Sequence, residues 1–148
     1  MKSVSEILKK KVLHTSIVSV TPETTVLEAV TIMADSDISA LMVLRGEQVE
    51  GIITERDFVR RVARLERSAY ATTVGEVMTS SLITVGPQDR TRYCMQLMIE
   101  RNLRNLRHLP VLEDGKLVGL LSIRDLVKDV VAEQEGLIQH LEQYIRGE

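Results

Sequence analysis

Residues 51–59 read GIITERDFV and residues 119–127 read GLLSIRDLV. Each is a glycine, two aliphatic residues, a hydroxyl residue, a variable position, arginine, aspartate and two apolar residues. A short apolar run that meets Ser/Thr-x-x-Asp and then an amphipathic stretch reads as a strand ending where a helix begins. Found twice, the pattern predicts two equivalent strand-to-helix junctions. Each presents a hydroxyl, free backbone amides and a carboxylate, which suits a pair of equivalent ligand sites.

The repeat extends towards the N-terminus of each copy. Ile17 to Pro22 (IVSVTP) answers Leu82 to Pro87 (LITVGP), Met33-Ala34-Asp35 answers Met98-Ile99-Glu100, and Val4 to Leu8 answers Val74 to Met78. The offset is 70 at Val4, 65 at the prolines and 68 at the final motif. The first copy therefore has a longer lead-in, Lys9 to Ser16, and the second has three extra residues between Arg101 and Arg107. The expected division is a first repeat over 1–66, a linker over 67–73, a second repeat over 74–129 and a C-terminal helical extension over 130–148.

Local signals fill in the elements. Ser3-Val4-Ser5-Glu6, Thr25-Val26-Leu27-Glu28 and Thr73-Val74-Gly75-Glu76 are capping boxes that open helices. Val26, Leu27, Val30 and Met33 are expected on one buried face. Asp89 is the expected cap of the equivalent second helix, with Cys94, Leu97 and Met98 inward. Short β-rich runs at Ser16 to Val20 and Ser81 to Val85 each stop two residues before a proline. Two strand pairs follow, Ala40–Leu44 with Val49–Ile53 and Leu109–Leu112 with Leu117–Leu121. The second is joined through Asp114-Gly115, a strong hairpin signal. Each half thus reads helix, strand, helix, strand, strand, helix, an α/β (α+β) arrangement. The last helix is long. Val127, Val130, Gln134, Leu137, Leu141 and Tyr144 fall at helical spacing, with Val131, Ile138 and Ile145 beside them. Such a stripe packs on its own domain or on another subunit, and its run of about three turns past the second repeat favours another subunit.

Bulk properties narrow the function. A half of this size is marginal alone, so the two halves are expected to share a core. Aromatic residues make up only 3% of 148, so that core is aliphatic and methionine-filled. A net charge of −2 argues against nucleic acid, despite the local run Arg101, Arg104, Arg107, His108. Arg60, Arg61, Arg64 and Arg67 read as a solvated helix face. Cys94 is the only cysteine, which excludes an intramolecular disulfide and a Cys-x-x-Cys pair. Three scattered histidines give no metal site. The N-terminus has no apolar leader and no stretch is long enough to span a membrane, so a cytoplasmic protein is expected. No nucleophile elbow, phosphate-binding P-loop or Cys–His pair occurs, and an enzyme is not expected.

Thr54-x-x-Asp57 and Ser122-x-x-Asp125 are helix caps in their own right, the hydroxyl serving the third amide of the helix and the carboxylate its positive end. The same groups suit a nucleotide. A hydroxyl with free amides can hold phosphate, an aspartate can accept hydrogen bonds from both ribose hydroxyls, and Arg56 and Arg124 add charge. Capping and ligation are compatible.

At these residues the chain resembles a tandem pair of CBS domains, the cystathionine β-synthase type of regulatory repeat. LRHLPVLEDGKLVGLLSIRDLV (106–127) and GIITERDF carry the resemblance, which spans about Val4 to Asp129. It implies a β-α-β-β-α core in each half, halves packed through their sheets, up to two nucleotide clefts, and dimers of such pairs. It also implies roles. Asp57 and Asp125 take the ribose; Thr54 and Ser122 take a phosphate or ribose-phosphate. Ser16, Ile17 and Val18, and likewise Ser81, Leu82 and Ile83, line the adenine. Arg107 and His108 face the phosphates. Ser39 and Ala40 stand at the matching place in the first repeat, so the resemblance implies a weaker phosphate site there. The implied function is a stand-alone regulatory module that binds AMP, or less readily ADP, ATP or NAD, needs no cofactor and signals to a partner protein. The other readings are an empty structural adaptor that acts through its last helix and an NAD-binding sensor.

Overall fold

The computed structural model describes residues 2–12, 18–100 and 108–147. The first repeat runs α1 (Val4–Val12), β1 (Ser19–Val20), α2 (Val26–Ser36), β2 (Ala40–Arg45), β3 (Gln48–Thr54) and α3 (Glu55–Phe58), which continues into a π-helical turn over Val59–Ala63. The second runs α4 (Val74–Val77), α5 (Thr91–Glu100), β4 (His108–Glu113), β5 (Lys116–Ser122) and α6 (Ile123–Arg146). β1 pairs parallel to β2, and β2 antiparallel to β3. β4 and β5 form the second hairpin, whose turn places Asp114 and Gly115 at φ of 52° and 78°. Both central residues are left-handed there, as the two-residue turn requires.

The strand expected over Ser81–Val85 shrinks to one parallel bridge, Val85 to Val111. Val85 bonds Pro110 O and Leu112 N, and then the Gly86 amide turns to Asp89 Oδ2 at 2.7 Å, which takes the backbone out of the ladder. Asp89 is therefore not the cap of α5, as its position suggested; it fixes the turn before that helix. Thr24 does the same for Thr21 in the first repeat, at 3.1 Å. On α2, Val26, Ala29 and Met33 are buried, while Leu27 is exposed, contrary to expectation. Residues three and four apart share a face; Leu27 stands about 100° from Val26.

The repeat unit and the packing unit differ. Val4, Ile7 and Leu8 of α1 are buried among Val85, Cys94, Met98, Leu109, Leu121 and Leu126 of the second repeat. Val74 and Val77 of α4 are buried among Val26, Met33, Leu41 and Ile53 of the first. Each lead-in helix thus completes the other repeat. Equivalent backbone bonds fix both: Val4 N to Asp89 O (2.8 Å) and Ser5 N to Pro87 O (2.9 Å), Val74 N to Thr24 O and Gly75 N to Pro22 O (both 2.8 Å). Burying each aliphatic side chain of α1 contributes about 1.5–3 kcal/mol. The hairpins meet through Ala40, Met42 and Ile52, against which Leu82, Leu117 and Leu120 pack.

The exchange explains the motif glycines. A Cβ on Gly51 would lie 2.7 Å from Thr79 O and 2.9 Å from Met78 Sδ; one on Gly119 would lie 2.6 Å from Leu8 Cδ2. The segment 67–73 is also built in: Thr72 is buried, and the Thr72 and Ala69 carbonyls accept from the first amides of α2, Val26 N and Leu27 N, both at 2.9 Å. Those amides have no partner inside their own helix.

Two outcomes follow from the packing. Gly51→Ala is expected to destabilise by about 2–3 kcal/mol, because the obstacle is backbone, and Gly119→Ala by less, because the end of Leu8 can rotate away. Urea denaturation of the two variants checks the order, and equal costs would contradict it. Cys94 is fully buried, and burial, helped by the negative charge of Asp89, pushes its thiol up to about 11. A thiol reagent at pH 8 should leave the folded protein unmodified and react at once in denaturant.

Candidate functional site

Each junction forms where an aliphatic strand runs out and a hydroxyl residue stops the ladder. Thr54 and Ser122 keep extended backbone and cap α3 and α6. Asp57 N donates to Thr54 Oγ1 at 3.1 Å, while Thr54 N and Oγ1 donate to Asp57 Oδ2 at 3.0 and 3.1 Å. In the second repeat Asp125 N donates to Ser122 Oγ at 3.2 Å, and Ser122 N and Oγ donate to Asp125 Oδ2 at 2.8 and 2.9 Å. Both boxes are reciprocal, so the repeated pattern is a repeated geometry.

The strand register gathers further predicted residues. Ala40 pairs with Thr54, and His108 pairs with Ser122. Directly opposed residues share a sheet face. The next pairs along, Leu41–Ile53 and Leu109–Leu121, enter the separate repeat cores. The pairs after those, Met42–Ile52 and Pro110–Leu120, lie on the other face, where Met42, Ile52 and Leu120 meet between the hairpins. Thr54, Ser122 and His108 therefore border the face on which the repeats meet. His108 is half-buried, Arg56 partly buried and Arg124 exposed.

Leu82 packs into the layer between the hairpins, and Ile83 against the second core, while Ser81 is exposed. Val18 is partly buried against the first core. Ser16, Ile17, Arg107, Arg101, Arg104 and His14 lie outside the described residues. His140 is exposed.

Three side chains escaped the sequence reading. Thr79, just past α4, donates from Oγ1 to Asp57 Oδ1 at 3.3 Å, so the exchanged lead-in reaches the first junction. Arg61 is not part of a uniformly solvated face: it donates to Val77 O and Met78 O at 3.0 and 3.1 Å, and its Nε stands 3.9 Å from Asp57 Oδ1. Asp129, four residues after Asp125, is buried and pairs with Lys2 at 3.6 Å. Arg61 and Asp129 are equivalent positions of the repeat. The π-helical turn accounts for their different fates. It adds a residue to the turn, so Val62 is buried in the first repeat where Asp129 is buried in the second. The one signal for Arg61 and Asp129 was their shared place four residues beyond the motif aspartate.

The site offers capped helix starts, a carboxylate beside each cap and a histidine across from the second hydroxyl. Among the described residues no group of three or more His, Cys, Asp or Glu side chains could hold a metal, and no helix is long and apolar enough to cross a membrane.

Comparison with known proteins agrees with the repeat. The CBS domain family profile matches residues 4–64 and again 74–132. The CBS domain-containing protein CBSX3 of Arabidopsis thaliana, a mitochondrial protein, is 41% identical over 132 residues, 86% of this chain and 63% of its own length. The chain thus spans somewhat under two thirds of that relative. A structure from Burkholderia ambifaria, provisionally assigned as a signal-transduction protein with CBS domains, is 44% identical with a TM-score of 0.81, over 90% of this chain and 96% of that one. A hexameric CBS-CP12 protein from bloom-forming cyanobacteria is 25% identical with a TM-score of 0.72, over 85% of this chain and 66% of that one. With two profile matches covering most of the chain, and the twofold repeat they follow, the protein is a member of the CBS domain family.

Proposed function

We propose that the protein is a regulatory module that binds an adenosine nucleotide, AMP before ADP, ATP or NAD, at the second junction and signals its occupancy to a partner protein. The observation that carries this reading is the pairing of His108 with Ser122 beside the Asp125 carboxylate, on the face where the repeats meet. Asp125 takes the ribose hydroxyls, Ser122 and the start of α6 take phosphate, and Arg107, His108 and Arg124 supply positive charge. Ser81, Leu82 and Ile83 line the adenine. Signalling requires that the ligand bind two arrangements of the repeats unequally. The exchanged lead-in helices give it a route, because each repeat holds part of the other's core.

The first junction, with Thr54, Arg56, Asp57 and the segment Ser16, Ile17 and Val18, is the weaker site for phosphorylated ligands. Ser39 and Ala40 stand where Arg107 and His108 stand in the second repeat. Thr79 and Arg61 also crowd Asp57 Oδ1, so a nucleotide there must displace contacts the chain already makes. The reading assigns no catalysis and no cofactor, and it places the module in the cytoplasm as a homo-oligomer. The hexameric assembly of the cyanobacterial neighbour supports self-association as a property of this fold.

Isothermal calorimetry with AMP tests the assignment. Asp125→Ala removes a charge-assisted contact, expected to cost about 1.5–3 kcal/mol, a ten- to hundredfold loss of affinity. Asp57→Ala should leave the stronger AMP site within about threefold of wild type. Equal affinity of wild type and Asp125→Ala, or two identical AMP sites per chain, contradicts the reading. A protein that binds none of the four nucleotides is instead the adaptor.

A further inference from the structure

α6 carries two apolar faces. One seats Leu126 on the second repeat. The other runs along Ile123, Val127, Val131, Gln134, Ile138, Leu141 and Ile145, with steps of four or three residues throughout. Its apolar members are 47% to 82% exposed. This face starts at the motif itself, alongside the folded repeat. From Val127 onward the steps alternate four and three, the spacing of a helix-pairing seam. The sequence stripe through Val130, Leu137 and Tyr144 lies at its edge.

We infer that this seam pairs antiparallel with α6 of a second copy, about a twofold axis level with Gly136. The six seam positions from Val127 to Ile145 then pair off about that residue. Val127 meets the partner's Ile145, Val131 meets the partner's Leu141, and Gln134 meets the partner's Ile138. The flanks discriminate between directions. In the antiparallel pair Lys128 stands beside the partner's Glu142, twice over by symmetry, and the single like-charge meeting is Glu135 with its own copy at the axis. On the other flank Val130 meets the partner's Tyr144, and Leu137 meets its own copy, which widens the apolar seam. A parallel pair sets Val130 and Leu137 against Glu135 and Glu142 and forms no ion pair. Opposed helix dipoles add to the preference. The self-complementary Lys128–Glu142 flank also favours a second copy over an unrelated helix, for which it is not required. This deepens the self-association proposed above. Its test reads assembly alone, so it can fail while nucleotide binding stands.

Sedimentation equilibrium of the full chain provides that test. Wild type should be dimeric at micromolar concentration, and Leu141→Glu should weaken association at least about a hundredfold. Lys128→Glu should weaken it about two- to tenfold, and Lys128→Glu with Glu142→Lys should restore it, since the swap recreates the flank pairs without touching the apolar face. Direction is read by disulfide trapping. Val131→Cys with Leu141→Cys should give a covalent dimer on mild oxidation, while neither single variant should; Cys94 is buried and takes no part. The seam lies outside the core, so melting temperatures of variants compared as monomers should agree. A monomeric wild type, a dimer indifferent to Leu141→Glu, a charge swap that fails to restore association, or trapping by each single cysteine variant would each overturn the pairing.

Discussion

The two halves of this chain are held by an exchange rather than by a simple face-to-face contact. A half of about sixty residues is only marginally stable alone. Here the shortfall is met by a helix from the other half: α1 fills the second core and α4 the first. The approach is close enough that a side chain at Gly51 or Gly119 would strike the incoming segment. The sheets then meet through a thin aliphatic layer around Met42 and Ile52. Moving one repeat against the other must strain the lead-in contacts or that layer.

The junctions inherit their geometry from this arrangement. In each, one carboxylate oxygen closes a capping box and fixes where the helix begins. In the first repeat the other oxygen meets Thr79, delivered by the lead-in of the second. Four residues beyond each motif aspartate the chain makes a second tie between repeats, with opposite chemistry. Arg61 reaches the carbonyls at the end of α4, and Asp129 holds Lys2 just ahead of α1. The signs suit the helix ends, since a cation favours the carbonyl end. Duplicated backbones have thus acquired complementary locks at one position, which is why the junctions differ although their caps match.

Most of the fold was legible because its signals are local. The helix caps at Ser3, Thr25 and Thr73, the Asp114-Gly115 turn and the motif junctions each depend on a few adjacent residues. The family resemblance rested on the same residues, and the profile matches bear it out. Other readings misled, some through a competing local contact and some because the partner is distant in the chain. Asp89 looks like a cap by spacing but is drawn to the Gly86 amide. The run Ser81–Val85 has strand composition but touches the sheet only at Val85. Thr79 and Arg61 have no local signature, because their roles come from the exchange, and periodicity within one repeat carries no record of which core a helix enters. The repeated glycines were the trace of it: both mark a place where another segment passes too close for a side chain.

The exchange also orders events during synthesis. α1 leaves the ribosome well before the residues it packs against, which run from Val85 to Leu126. At about 5–20 residues per second that delay is on the order of ten seconds. The first repeat has no such wait, because α4 follows its own motif directly in the chain. Vectorial folding would therefore close the first repeat early and leave Val4, Ile7 and Leu8 exposed until the second hairpin arrives. On a crowded polysome that interval is when α1 of one nascent chain can be captured by the second repeat of its neighbour.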